Sequence, residues 1–277
     1  MDIALRKNHL ESQLDKSADS AFVMQTPIIR VDSQSVESMQ DCVIQEERVS
    51  FYLNGSKIIS TMCLPKDQDA HILGFLFNEA VVESISDVKS ITIAKDGLSV
   101  FMEAKINSEN MANLHHEKTL TSGCCVGVSA NFDGKIIERF ITSKARFPIA
   151  YLRKIIAEFE AETTLFHLTG CVHKVMIYTP HQIFESEDIG RHNALDKAIG
   201  KVIMAKTSLD NAILIVSGRL SMEMVIKCAM SGIPLIISRS ATTALGIKTA
   251  LKLGITLIGF ARNGKLNIYT HKGRIAL

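Results

Sequence analysis

The spacing of hydrophobic residues changes near Pro148, and this change divides the chain into two kinds of pattern. Before Pro148, short apolar runs are separated by tight-turn residues, which is typical of β-hairpins. After Pro148, continuous apolar runs alternate with stripes at helical spacing, which is typical of a sheet covered by helices. We therefore predict a small β-rich unit followed by an α/β unit.

In the first unit, Asn54-Gly55 and Asp96-Gly97 each lie between two apolar runs. They predict two β-hairpins, because these residue types tolerate positive φ. The predicted strands are Val49–Leu53, Lys57–Met62, Val88–Ile93 and Leu98–Met102. A helix that begins at Pro65-Lys66-Asp67 is predicted between the hairpins, since apolar residues recur there at helical spacing. Its stripe comprises Ile72, Leu73, Leu76, Phe77 and Ala80. Ile28–Val31 predicts an edge strand, and Glu109–Glu117 a weak helix.

In the second unit, Pro148 begins a predicted helix, and strands and helices then alternate. The run Ala212–Val216 contains no polar residue, as expected for a central strand covered on both faces. The order of elements predicts a three-layer α/β domain with a mixed sheet. The remaining predicted elements are strands Val172–Tyr178, Gln182–Glu185, Leu235–Ile237, Ile255–Phe260 and Leu266–Tyr269, and helices over Ala194–Ile203, Met222–Met230 and Thr242–Leu253.

These patterns predict four segments along the chain. Residues 1–25 form a loose N-terminal arm, and residues 26–120 form the small β-rich α+β subdomain with its helix. Residues 121–147 form a mobile cysteine loop and a linker. Residues 148–277 form the α/β domain.

Composition restricts the function classes. Of the 277 residues, 47% are hydrophobic and 22% are charged, which is ordinary for a globular protein with a sizeable core. The formal net charge of +2 does not favour a polyanion-binding surface, so no nucleic acid partner is expected. The N-terminus lacks the apolar run of a signal peptide, and no stretch is long and apolar enough to span a membrane. We expect a cytoplasmic protein without a membrane partner, in which the six cysteines need not form disulfides.

Polar residues follow four of the predicted strands, where ligands of open α/β sheets bind. Each of these loops contains a basic residue, and two of them lead into helix N-termini, which suit phosphate. We therefore expect a phosphorylated or nucleotide-like ligand at this edge. The pocket candidates are Asp188, Arg191, His192, Ser217, Arg219, Ser238 and Thr242. Asp188 and His192 form either a binding or acid/base pair, or contacts that only fix their loop.

Thr121–Ser129 contains Cys124 and Cys125 among small, uncharged residues. This segment is either an exposed thiol on a loop or a pair of small apolar residues in a buried turn. His115-His116-Glu117 matches half of a zinc deaminase signature, but the cysteine half is absent, because the two cysteines are adjacent. We therefore expect no bound metal, and we expect Cys171 and His173 to belong to a pocket wall or a strand.

Several segments together resemble the FdhD family. They are Thr169-Gly170-Cys171-Val172-His173, the run from Glu187 to Lys197, Ser217–Ser221, Ser238–Thr242 and Ile268–His271. The resemblance extends from the hairpin at Asn54-Gly55 to His271. It implies a cytidine-deaminase-like domain without zinc chemistry, a homodimer, and a sulfurtransferase that formate dehydrogenase requires.

Further roles follow from the same resemblance. A cysteine desulfurase would supply persulfide sulfur to Cys124, which would pass it to the molybdenum or tungsten centre of a bis(molybdopterin guanine dinucleotide) cofactor. The segment implied for cofactor binding comprises Phe260, Ala261, Arg262, Asn263, Gly264 and Lys265. Where the family usually carries a second loop cysteine, this chain has Gly127; Cys125 or Cys171 takes the relay role, or none is needed. The alternative function is a nucleotide- or cofactor-binding module without thiol chemistry.

Overall fold

The structure is a computed structural model that describes residues 21–116, 140–161 and 165–277. The first unit begins with a two-stranded antiparallel hairpin of β1 (Val23–Val31) and β2 (Val36–Ile44). A four-stranded sheet follows, in the order β4-β3-β6-β5. Its strands are β3 (Glu47–Leu53), β4 (Ser56–Cys63), β5 (Val88–Ile93) and β6 (Ser99–Ala104).

Both predicted hairpins of this sheet are confirmed. Asn54 and Gly55 have positive φ angles of 48° and 79° and join β3 to β4. Gly97, with φ of 72°, lies in the turn between β5 and β6. The sequence did not predict that β3 and β6 pair in parallel. This pairing joins the two hairpins into one sheet.

The predicted helix of the first unit is α1 (Gln68–Asn78), and the weak helix is α2 (Ser108–His116). The apolar side of α1 packs on the four-stranded sheet. Its opposite side packs along α5 (Arg191–Met204) of the second unit. Because α1 is covered by the sheet and by α5, its polar residues Gln68, His71 and Asn78 are buried as well.

The second unit is built on a six-stranded mixed sheet in the order β13-β12-β11-β10-β8-β9. Strands β10, β11 and β12 are parallel, and every other neighbouring pair is antiparallel. The strands are β8 (His173–Tyr178), β9 (Ile183–Asp188), β10 (Ile213–Val216), β11 (Leu235–Ser238), β12 (Thr256–Arg262) and β13 (Lys265–Ile268). The other helices are α3 (Ile149–Ala161), α4 (Leu165–Thr169), α6 (Met222–Met230) and α7 (Ala244–Leu253).

Helices cover both faces of this sheet, so the predicted mixed three-layer α/β arrangement is observed. One face packs against α5, α6 and α7, and Leu214, Ile236 and Leu257 belong to that core. The other face packs against α3, and Ile213, Ile237 and Ile258 belong to that second core. None of the described helices has the length and hydrophobicity that crossing a membrane requires.

Residues 140–148 are held by the C-terminal segment. Strand β7 (Phe147–Pro148) pairs with β14 (Ile275–Ala276) in parallel. The Arg274 guanidinium donates hydrogen bonds to the carbonyl oxygens of Ile141, Ser143 and Gly254. The sequence did not predict these contacts of Arg274, which anchor residues 141–143, because their acceptors are backbone carbonyl groups that every residue has.

The structure differs from the sequence predictions mainly in the hairpin of β1 and β2. The predicted edge strand Ile28–Val31 is the distal half of β1, which begins inside the predicted N-terminal arm. Strand β2 was not predicted, because polar and apolar residues share both of its faces and leave no period-two pattern. The short helix α4 and the β7–β14 pair were also missed, since five and two residues carry no periodicity.

Candidate functional site

Four polar segments meet one edge of the six-stranded sheet, as the sequence predicted. Strands β9, β10, β11 and β12 all end at this edge, because β9 and β10 both run antiparallel to β8. The predicted loops begin partly inside the strands, since Asp188, Ser238 and Arg262 are strand residues. We refer to this edge as the ligand edge.

The loops after β10 and β11 are tied together by their own hydroxyl and backbone groups. The Ser238 hydroxyl donates to the Gly218 carbonyl oxygen at 2.7 Å and accepts from the Ser240 N–H at 2.9 Å. The Thr242 hydroxyl donates to the Leu220 carbonyl oxygen at 3.3 Å. Two predicted ligand hydroxyls therefore hold the shape of the ligand edge.

His173, Arg191 and Gly218 form a compact group at this edge. A Cβ atom on Gly218 would lie 3.1 Å from His173 Nδ1 and 3.5 Å from Arg191 Cβ, so glycine lets the ring and the arginine approach the loop. The Ser217 hydroxyl lies 3.5 Å from His173 Nδ1 and accepts a hydrogen bond from the Lys174 N–H. Burial, and then the positive charge of Arg191, lower the pKa of His173. The group therefore combines a neutral imidazole with a guanidinium.

His192 contacts Glu223 and not Asp188. His192 Nε2 lies 3.1 Å from Glu223 Oε2, at the start of α6. Burial lowers the pKa of His192, and the Glu223 carboxylate opposes that shift without reversing it. Sequence reasoning missed Glu223, because an acidic residue in the first turn of a helix is ordinary and belongs to no motif.

Asp188 is fully buried, and its carboxylate is surrounded by hydrogen-bond donors. Oδ2 accepts from Lys197 Nζ at 2.6 Å and from the Leu64 N–H at 3.1 Å. Oδ1 accepts from the Gly190 N–H at 2.8 Å and from Asn193 Nδ2 at 3.0 Å. These contacts fix the loop and the end of β4, which is the second of the two alternatives for Asp188.

The run from Glu187 to Lys197 therefore contacts both the first unit and the ligand edge. Asn193 Nδ2 also donates to the Met62 carbonyl oxygen, and Lys197 Nζ donates to that of Leu64, so both hold the first unit. Asp196 is buried between Lys227 and Asn78. Only Arg191 and His192, at the first turn of α5, join the group around His173.

The segment from Phe260 to Lys265 lies at the end of β12 and in its turn to β13. Phe260 has a φ of 52°, in the left-handed region, where the β12–β13 register shifts. Its N–H donates to the Ser240 carbonyl oxygen at 2.8 Å, which connects it to the loop after β11. Its ring is 38% exposed and lies 5.9 Å from the Arg262 guanidinium carbon. Ala261 is buried, whereas Arg262, Asn263, Gly264 and Lys265 are exposed.

A bulky residue with positive φ is strained by about 1–3 kcal/mol, and such residues concentrate at ligand sites. Phe260 is held in this conformation by the register shift, by its bond to Ser240, and by the turn at Asn263 and Gly264. The arrangement presents an aromatic ring and two exposed cations at the ligand edge. It suits a planar, anionic ligand such as a nucleotide.

The cysteines divide into three groups. Cys124 and Cys125 lie outside the described residues. Cys42, Cys63 and Cys228 are buried, and burial raises the pKa of Cys228 above that of an ordinary thiol. Cys171 is exposed and follows α4. Within the described ranges, no three His, Cys, Asp or Glu residues are close enough together to hold a metal ion.

Glu187 fixes the segment that carries Cys171. Its buried carboxylate accepts hydrogen bonds from the Leu165 and Phe166 N–H groups at the start of α4. The Cys171 N–H donates to the Thr169 hydroxyl at the other end of that helix. These bonds fix the position of Cys171, which precedes His173 by two residues and therefore lies next to the group of His173, Arg191 and Gly218.

Comparison with known proteins adds four findings. The model of the FdhD/NarQ family matches residues 44–276. The sulfur carrier protein FdhD of Wolinella succinogenes is 52% identical over 258 residues, which cover 92% of this chain and 90% of that protein. The protein of the same name from Bacillus subtilis is 31% identical over 251 residues, covering 89% and 95%. A crystal structure of a protein from Desulfotalea psychrophila, assigned as a formate dehydrogenase accessory protein, superposes with a TM-score of 0.74 and 24% identity and covers 92% and 100%.

Proposed function

The chain belongs to the FdhD/NarQ family, and from this membership we propose that it is a sulfur carrier that serves formate dehydrogenase. The single observation that carries this proposal is the 52% identity, over 92% of the chain, to a sulfur carrier protein FdhD. We propose, further, that the six-stranded sheet and its helices are a cytidine-deaminase-like domain without zinc chemistry, and that the protein acts as a homodimer.

Cys124 is the proposed carrier. Its thiolate attacks the terminal sulfur of a persulfide on a cysteine desulfurase. The donor's sulfur–sulfur bond breaks, the donor thiolate leaves, and Cys124 becomes the persulfide. Delivery as sulfide then needs two electrons. A second thiol supplies them by attacking the Sγ atom of Cys124, which forms a disulfide and releases the terminal sulfur at the sulfide level.

The proposed second thiol is Cys125 or Cys171, or else a thiol from solution. Gly127 occupies the place of the usual second cysteine, so this chain departs from the family pattern at that step. Exposure of Cys171 and its position near His173 suit an attack on a persulfide brought to the ligand edge. Two equivalents of a cellular thiol then reduce this disulfide, are oxidised to a disulfide themselves, and restore the carrier.

The acceptor is proposed to be a molybdenum cofactor of the bis(molybdopterin guanine dinucleotide) type, bound as a substrate. Phe260, Arg262 and Lys265 fit its guanine nucleotide part, because an exposed ring can stack on the base and the two cations can contact phosphate. Arg191 and Arg219 provide further positive charge near His173 at the same edge. The cofactor supplies the metal that receives the sulfur, and these side chains bind and orient it.

Mass spectrometry after incubation with a cysteine desulfurase and cysteine tests the proposal. We expect added sulfur on Cys124, and none anywhere in the Cys124→Ala protein. In cells that lack the endogenous protein, the wild-type chain should restore formate dehydrogenase activity and Cys124→Ala should not. Full activity with Cys124→Ala would exclude the sulfur-carrier role and leave a cofactor-binding module without thiol chemistry.

The same experiment identifies the second thiol. If Cys171 supplies the electrons, Cys171→Ala should load Cys124 normally but accumulate its persulfide, because the attacking thiol is gone. Cys125→Ala should behave in that way if Cys125 has the role. Normal delivery by both variants would assign the step to a thiol from solution.

A further inference from the structure

The first residues that the structure describes after Cys124 lie at the edge of the sheet opposite to the ligand edge. The Ile141 N–H donates to the Leu253 carbonyl oxygen, just before the chain enters β12. The Ser143 hydroxyl donates to the Asp210 carbonyl oxygen, three residues before β10 begins. Arg274 then holds both Ile141 and Ser143 through their carbonyl oxygens. Residues 141–143 are therefore fixed where β10 and β12 begin.

A groove of about 350 Å³ lies beside this anchor. One wall consists of residues 145–148 and Tyr151, and the other of the β8–β9 turn at Thr179 and Pro180. Tyr178 and Ile213, which are paired in the β8–β10 register, contribute apolar surface, and Asn211 adds a polar group. The groove opens at the start of β10, whereas the ligand edge lies at the end of that strand.

The groove is lined by residue types that are common at interface hot spots. Tyr151 is 39% exposed, and tyrosine and arginine are enriched among residues that dominate binding energy. Pro148 and Pro180 are both exposed and restrict the backbone of both walls, so the groove is preorganised for binding. Arg146 is exposed at the groove and has no ion-pair partner among the residues that the structure describes.

These features indicate the chemistry of an occupant. An aromatic and proline-lined groove accepts an extended segment with an apolar side chain, and the exposed Arg146 guanidinium favours a carboxylate beside it. The wall formed by residues 145–148 belongs to the stretch of chain that follows Cys124 in sequence, which is the reason to assign the groove to the sulfur donor.

We propose that this groove, centred on Arg146 and Tyr151, is the docking site for the sulfur-donor protein, which inserts an extended, acidic segment. The proposal rests on the proposed function, because it assumes a protein donor. It adds that donor and cofactor bind at opposite edges of the sheet and so do not compete.

Two variants of the full-length chain test the site, Arg146→Glu and Tyr151→Ala. The matched control is Lys248→Glu, which makes the same charge change at an exposed position of α7. The probe is a purified cysteine desulfurase from the same organism. Three quantities are measured: desulfurase affinity by biolayer interferometry, sulfur loading of Cys124 with desulfurase and cysteine, and loading with glutathione persulfide.

We expect Arg146→Glu and Tyr151→Ala to weaken desulfurase affinity by about tenfold or more, since hot-spot residues have effects of this size. Loading from the desulfurase at subsaturating concentration should fall in parallel. Loading from glutathione persulfide and the affinity for GDP should stay at wild-type values. Lys248→Glu should match the wild type in every assay.

Each other outcome has a definite meaning. Wild-type affinity and loading rate in both groove variants would overturn the docking site. Equal losses with both sulfur donors would also overturn it, because the groove would then act on the cysteine segment of its own chain. If the wild type binds the desulfurase at this groove but no donor places sulfur on Cys124, the proposed sulfur-carrier function fails while the docking site remains.

Discussion

Gly74 and Gly200 lie at the point where α1 crosses α5, and neither position has room for a side chain. A Cβ atom on Gly74 would lie 1.8 Å from the Asp196 carbonyl oxygen, and one on Gly200 would lie 1.9 Å from that of Ala70. Both obstacles are backbone atoms within helices, so neither can rotate away. The close contact of the two units depends on glycine at both positions.

Replacing Gly200 by alanine should therefore separate the helices. Overpacking of a core commonly costs about 1–3 kcal/mol, and a clash with helix backbone should reach at least the upper end of that range. Chemical denaturation measures the change in the free energy of unfolding. Gly273→Ala is the control, because a Cβ there meets no atom within 4 Å, and its stability should stay close to that of the wild type.

Lys197 and Asp188 form a fully buried ion pair in the second unit, and both also bond to the backbone of Leu64 in the first unit. Lys197→Met should destabilise the protein by about 3–5 kcal/mol, because the Asp188 carboxylate would remain buried without its cation. The double variant Asp188→Asn with Lys197→Met should lose less than the sum of the two single changes, since it leaves no unpaired charge.

The exposed ion pair Lys154–Glu158 is the comparison for the buried pair Lys197–Asp188. Its side chains are 69% and 46% exposed, so its removal should change stability by no more than about 0.5 kcal/mol. Equal effects of Lys197→Met and Lys154→Met in urea unfolding would contradict the role assigned to the buried pair.

The elements of the fold were predictable where periodicity or a turn dipeptide specifies them, as at Asn54-Gly55 and along β10. Pairings between distant elements were not, and the β3–β6 pair and the α1–α5 contact are of this kind. The sequence also placed Arg191, His192 and Asp188 in one ligand loop. The sequence could not show that Asp188 faces the first unit while Arg191 and His192 face the ligand edge, because residues only a few positions apart in a loop can point in opposite directions.

His71 should make stability depend on pH. It is buried in α1, and burial, followed by the positive charges of Lys197 and Lys227, holds its pKa well below the ordinary value of 6.5. As the pH falls below about 6.5, the unfolded chain binds a proton at His71 that the folded chain does not bind. The free energy of unfolding should therefore decrease as the pH falls from 7 to 5.

Removing the imidazole should reduce that slope. Urea unfolding of His71→Gln at several pH values should show a weaker decrease than in the wild type. Some decrease in the free energy of unfolding should remain in His71→Gln, because the pKa values of His173 and His192 are lowered as well. His181→Gln, in the exposed β8–β9 turn, serves as control and should keep the wild-type slope. An unchanged slope in His71→Gln would contradict the assignment.

Arg262 and Lys265 face each other across the β12–β13 turn and are both exposed. If they bind the phosphates of the guanine nucleotide, Arg262→Gln and Lys265→Gln should each weaken GDP affinity in isothermal titration calorimetry. The loss should be larger at low ionic strength, because salt screens exposed charges. Lys248→Gln on α7 is the matched control, and equal affinity in all three variants would exclude the assigned contact.

Phe260 allows stability and binding to be separated. Because its φ of 52° is strained for phenylalanine but not for glycine, Phe260→Gly should unfold at a temperature equal to or only slightly below that of the wild type. Loss of an aromatic platform should nevertheless weaken GDP binding by about tenfold, the effect expected for one stacked base. Lys206→Gly is the matched control, since Lys206 is exposed, has the same φ of 52°, and lies after α5, away from the ligand edge. It should bind GDP as the wild type does, and unchanged GDP affinity in Phe260→Gly would mean that the strained ring does not contact the nucleotide.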